Sequence, residues 1–124
     1  MSQLKSNIKV TNQNDHKDKQ GLLAKGVLIA NEITEVFEAS KFTVSAEVFL
    51  NITNDSNDIS EVIAWITSDL TPSKQDLLES NIPLHGKLTY VRGPVTLSSG
   101  EKLFLAANTH DIVYRIYGYD NRKL

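Results

Sequence analysis

The sequence predicts an all-β fold: a five-stranded barrel with one short helix between strands three and four. Three observations lead there. From residue 22 onward, apolar and polar residues alternate with the two-residue period of half-buried strands. These runs are separated by clusters of turn-forming residues such as TNDSNDIS and Ser98-Ser99-Gly100. A helix start signal occurs at Thr71-Pro72, where Thr71 suits the cap and Pro72 the first helical position.

Each element has its own warrant. Residues 1–20 are polar, with Leu4, Ile8 and Val10 scattered among Asn, Gln, Lys and Asp. This composition predicts a flexible N-terminal tail, or an arm whose Ile8 and Val10 add a strand to a partner. GLLAKGVLIANEITEVF reads as a long strand or a bent pair, with Gly26 the bend and a turn over 35–40. In KFTVSAEVFLNI, Phe42, Val44, Ala46, Val48, Leu50 and Ile52 share one face, and Phe49 stands out on the polar one. EVIAWITSDL is the third strand, with Ile63 and Trp65 opposite Val62, Ala64 and Ile66. TPSKQDLLESN is the helix, anchored by Leu77 and Leu78 and ending near Asn81. GKLTYVRGPVTL and EKLFLAANT then form a hairpin, and IVYRIYGY a last strand or extended tail. Three strands, a helix and a hairpin are the order of the five-stranded barrel called the OB-fold. The domain is expected over 21–117, with 118–124 a short C-terminal tail.

Bulk properties exclude several classes. The chain of 124 residues has length for one core, and its 40% hydrophobic and 23% charged content is that of a globular domain. With no Cys there is no disulfide framework, thiolate metal site or cysteine nucleophile. No apolar run reaches the roughly 20 residues of a membrane span, and the N-terminus lacks the apolar core of a secretory signal. No membrane partner and a cytoplasmic location are the expectation. Net charge is −2 but unevenly spread: residues 1–27 carry +3, 28–80 carry −8 and 81–124 carry +3. A modest positive face is compatible with this distribution; a strongly basic nucleic-acid binder is not.

Catalytic and metal chemistry find little support. His16, His85 and His110 are scattered, NDSNDISE lacks the central Gly of an EF-hand loop, and there is no phosphate loop or nucleophile elbow. No enzyme activity, catalytic residue, metal ligand or cofactor is predicted. The aromatic residues carry more. Phe49, Trp65, Tyr90 and Phe104 are rings set among Lys87, Arg92 and Lys102, a composition that can hold bases by stacking and phosphates by charge. Each also has a structural reading. Trp65 can be core, Phe49 core packing against a helix or a subunit contact, and the cations solvated charges that keep strand edges from aggregating.

From about Leu22 to Tyr114, the strand order, the TPSKQDLLES helix and the GKLTYVRGPVTL…EKLFLAA hairpin resemble single-stranded-DNA-binding proteins of OB-fold type. The likeness is to the short versions carried by bacteriophages of Gram-positive hosts, lactococcal phages among them. The resemblance implies sequence-tolerant binding of single-stranded DNA during phage replication or recombination by a homo-oligomer, dimer or tetramer. Replication or recombination proteins would be further partners. It places stacking at Phe49, Trp65, Tyr90 and Phe104, with Lys87, Arg92 and Lys102 near phosphates. The ending YGYDNRKL departs from the acidic tail of the bacterial members. The competing expectation is a protein-interaction or virion assembly module on an OB-like barrel.

Overall fold

A computed structural model describes residues 17–123. Of the tail expected over residues 1–20, residues 1–16 lie outside the described residues, and Lys19 and Gln20 already belong to the first strand. The chain is all-β, as expected, but it folds as two four-stranded antiparallel sheets and not as a five-stranded barrel. The strands are β1 (Lys19–Leu28), β2 (Thr34–Glu38), β3 (Thr43–Asn54), β4 (Ser60–Thr67), β5 (Leu77–Leu84), β6 (Thr89–Leu97), β7 (Lys102–Ala107) and β8 (Ile112–Arg122). One sheet has the order β1-β8-β3-β6 and the other β2-β7-β4-β5. The hydrogen-bonded neighbours include β1 with β8, β2 with β7, β3 with β6 and β4 with β5. The first strand thus meets the last, and each later pair nests inside the one before. A long hairpin wrapped into two sheets in this way is the eight-stranded jelly roll.

The core lies between the sheets. Val48, Leu50, Ile52, Leu97, Ile112 and Ile116 from one sheet meet Val62, Ala64, Leu103, Leu105 and Ala107 from the other, all buried. Each fully buried Leu, Ile or Val contributes about 1.5–3 kcal/mol. The alternation read in KFTVSAEVFLNI is therefore real from Ala46 to Ile52 of β3. It fails at Val44, which is 55% exposed, because the register shifts between Thr43 and Ser45 and leaves Val44 as the extra residue.

Three expectations need correcting. TPSKQDLLESN is not a helix. Its start signal forms only a single 3₁₀ turn, Lys74–Asp76, in which the Asp76 carboxylate accepts from the Ser73 N–H (2.8 Å) and hydroxyl (3.1 Å). The next eight residues form β5. A helix of about ten residues is marginal without packing, whereas β4 has an open edge whose backbone groups need partners. The turn expected over 35–40 is mostly β2. The last strand also reaches further than expected: Tyr119, Asp120, Asn121 and Arg122 lie in β8 and pair with β3, and Tyr119 and Asp120 pair with β1 as well.

Proline placement fits the sheets. Pro83 lies in β5 and Pro94 in β6, and these are edge strands that can lose a backbone donor. Gly93 and Pro94 sit at a bulge in β6. Val95 pairs with Val48 and Arg92 with Leu50, so β6 carries one extra residue opposite Phe49.

Candidate binding surfaces

The two sheets leave four surfaces to consider: two outer faces and two open sides where edge strands approach without pairing. The seven residues singled out by sequence fall on different ones. Phe49 lies on the outer face of β1-β8-β3-β6, and 42% of its surface is exposed. Trp65 and Phe104 are direct cross-strand partners on the outer face of the other sheet, with Lys102 two residues along. Phe104 is nearly buried there while Trp65 is half-buried. Lys102 Nζ donates to the Ser68 carbonyl (3.2 Å).

Tyr90 and Arg92 sit on the open side between β6 and β5. Both reach Glu79 Oε2 of β5: the Tyr90 hydroxyl donates at 2.8 Å, and Arg92 Nη1 forms an ion pair with the same oxygen. Burial pushes the Tyr90 hydroxyl above its ordinary pKa, and the bond to Glu79 adds to that rise. The same carboxylate stabilises the charged Arg92 guanidinium, raising its pKa further. These three side chains tie one sheet to the other. Lys87, in the β5–β6 turn, donates to Asp55 through its carboxylate (3.2 Å) and its carbonyl (2.9 Å). Each of the three expected phosphate-binding cations thus has an acceptor within its own chain.

The opposite open side, between β1 and β2, is a cleft of about 800 Å³. At its base Asp120 is fully buried, accepting from Thr43 Oγ1 (2.8 Å) and Arg122 Nε (3.0 Å) and pairing with Arg122 Nη2 at 2.9 Å. Asp18 accepts from the Tyr119 hydroxyl and the Arg122 N–H, both at 2.7 Å. The backbone donor, and then Tyr119, hold the Asp18 carboxyl below the usual carboxylate range.

The fullest set of exposed rings lies on the outer face of β1-β8-β3-β6, and sequence reasoning named just one of them. Register sets Leu22 beside Tyr117 and Tyr117 beside Phe49, in one row across three strands. The next row holds Lys25, Arg115, Asn51 and Val91; the row on the other side holds Gln20, Tyr119, Glu47 and Thr96. Arg115 Nε donates to the Tyr117 hydroxyl (2.7 Å), and its guanidinium lies 5.5 Å from that ring's centroid. The missed signal was in IVYRIYGY: Arg115, Tyr117 and Tyr119 recur every second residue, the spacing that puts them on one face of a strand.

A second feature lies on the outer face of the other sheet. Ile63, Trp65 and Ala106 floor a depression of about 290 Å³ whose rim includes Asn31, Asn81, Asn108 and Glu61.

Among the described residues, no three His, Cys, Asp or Glu side chains converge on a point that could hold a metal. No helix there is long and apolar enough to cross a membrane.

No protein-family model matches this chain, and no curated protein does. Among solved structures it is similar to a chain of the T13 IBDV viral particle, at 9% identity and a TM-score of 0.44. The match covers 83% of this chain but 30% of that one. So distant a likeness carries no argument, and the strand order alone defines the fold.

Proposed function

We propose that this chain is a protein-interaction module that associates with copies of itself through the outer face of β1-β8-β3-β6, with virion assembly as its setting. The observation that carries the reading is the row Leu22–Tyr117–Phe49, apolar and aromatic, with exposed Val27 and Val91 in the rows beyond. Contiguous apolar surface of this kind on a sheet face is the mark of an interaction site. The face is also self-complementary. Lys25 and Arg115 lie on one side of the aromatic row and Glu47 on the other. A two-fold axis through that row would set Glu47 of each copy against the basic pair of its partner, as an isologous dimer requires. The virion setting rests on analogy, since jelly rolls recur in viral capsids.

The test is the size of the particle in solution. Phe49→Asp and Val91→Asp should each shift the species measured by light scattering toward the monomer, with the circular dichroism of the fold retained. Unchanged size in both would sink the proposal.

A second reading, single-stranded DNA binding in phage replication or recombination, is favoured by one observation on the same face. Arg115 stacked on Tyr117, with Lys25 beside it and Phe49 next in the row, offers rings for bases and two cations for phosphates. An oligo-dT titration at two salt concentrations separates the readings. Binding that weakens steeply with salt and is lost in Arg115→Ala supports the second.

A further inference from the structure

We propose that the depression beneath Trp65 is a binding site for a neutral saccharide. Its floor is apolar and partly aromatic. Register places Ile63 beside Ala106 and Trp65 beside Phe104 on the outward face of β4 and β7, and Phe104 is buried under this layer. The open flank of the half-buried Trp65 indole presents a negative π face, which attracts the C–H edges of a pyranose ring.

The rim supplies what the hydroxyls of such a ring need. Asn31 and Asn81 both adopt left-handed backbone conformations (φ 64° and 47°), which Asn tolerates better than most residues. The Asn31 N–H is held by the Ala107 carbonyl at 2.7 Å, so this turn is fixed against the end of β7. Asn108 is oriented by its own chain. Its Oδ1 accepts from the Glu61 N–H (2.8 Å) and the Ser60 hydroxyl (3.2 Å). A backbone N–H can only donate, so this end of the amide must be the oxygen and the Nδ2 hydrogens remain to be offered. Glu61 adds a pure acceptor. Amide donors and acceptors beside a carboxylate match vicinal hydroxyls, which donate and accept together.

Charge decides between ligand classes. Among the described residues, Glu61 is the one ionisable group lining the depression, and no Lys, Arg or His of them lines it. A phosphodiester or an acidic sugar would meet a carboxylate with no compensating cation. The site therefore takes an uncharged polyol ring, although Trp65 read from sequence alone suggests a base-stacking role. The space is just below the roughly 300–1,000 Å³ of small-molecule clefts, which suits the terminal ring of an oligosaccharide.

Trp65 is the single tryptophan of the chain, so its fluorescence reports the site directly. The full chain would be titrated with maltotriose, cellotriose and chitotriose, with trigalacturonate and an oligo-dT as anionic controls, up to about ten times a millimolar Kd. The expected result is a saturable change with at least one neutral trisaccharide and none with either anion, matched by saturation-transfer NMR signals from the sugar's ring protons. Loss of the indole in Trp65→Ala should abolish binding. Because Trp65 also covers Phe104, Asn81→Asp serves as a gentler variant that keeps an αL-tolerant residue; it should weaken binding about tenfold, the equivalent of one hydrogen bond at the upper end. No response to any neutral trisaccharide by the folded protein overturns the proposal. So does a response to oligo-dT in its place, or a change of oligomeric state in Trp65→Ala without any saccharide signal, which would make the depression a protein contact.

Discussion

The Phe49 ring occupies the space where a side chain on Gly93 would begin: a Cβ built at Gly93 would overlap the ring. The extra residue in β6 stands opposite Phe49, so the glycine, the bulge and the ring form one arrangement. Gly93 is here for want of a Cβ, and the ring it admits is part of the row proposed as the association surface.

Gly93→Ala should therefore destabilise the fold by about 1–3 kcal/mol, the cost of overpacking. The double variant Phe49→Ala/Gly93→Ala should recover much of that loss. Urea denaturation of the two single variants and the double would measure the coupling. Simple additivity would mean that the ring swings aside at no cost.

Glu79 holds the open side between β5 and β6 by accepting from Tyr90 and pairing with Arg92. Glu79→Ala leaves a half-buried hydroxyl and guanidinium without their acceptor and should cost about 1–3 kcal/mol. Tyr90 contributes a pH dependence of defined sign. Its folded pKa is raised, so the neutral form favours the folded state. That stability is complete below the ordinary pKa of 10.0 and is lost as pH rises from there toward the folded value. In Tyr90→Phe, thermal melts between neutral and strongly alkaline pH should lose this part of the alkaline decline.

Asp120 is the buried charge most costly to strand. Asp120→Ala removes one partner of Arg122 and the acceptor for Thr43, and should destabilise by about 3 kcal/mol, two charge-assisted hydrogen bonds of about 1.5 kcal/mol each. Thr43→Val removes one bond to the same carboxylate and should cost about 1 kcal/mol. Equal losses in the two variants, measured by denaturant titration, would contradict this ranking.

Asp18 gives the acid side. Its folded pKa is lowered, so its bonds to the Arg122 N–H and Tyr119 act in full above the unfolded value near 3.8 and are lost as pH falls through the lower folded value. A carboxylate titration by NMR should place Asp18 below 3.8, with the Arg122 amide resonance moving in step. In Asp18→Asn the amide should no longer move. A midpoint at or above the ordinary value would refute the two contacts.

Alternation made much of this fold legible. Ala46 to Ile52 keeps a strict two-residue period because one side of β3 faces the core, whereas Leu103, Phe104 and Leu105 of β7 are all buried and blur it. β5 was hidden for a physical reason. Its sequence, LLESNIPL, has no such period, since register shifts around Ala64 put neighbouring residues out of phase with β4. It is strand because β4 needs a partner, and no local pattern encodes that need. Topology also separates two of the rings expected to act together. Phe49 and Trp65 both sit on the outward side of their strands, but the strands belong to different sheets, so the rings face away from each other across the core. Conversely Tyr117 and Phe49 are far apart in sequence and neighbours in register. Only long-range pairing reveals that they belong together.

The pairing of β1 with β8 also sets how the domain would respond to force. Lys19, at the start of β1, lies opposite Asp120, near the end of β8, so the two ends of the described chain leave from the same corner. A pull on both ends would load the antiparallel ladder one rung at a time, peeling β1 from β8 like a zipper and not shearing all their bonds at once. A domain of this kind yields easily along its own termini, while a load carried through the broad outer face of the sheet bears on the whole sandwich. Held by its face, it would be a tough tile; held by its ends, a weak link.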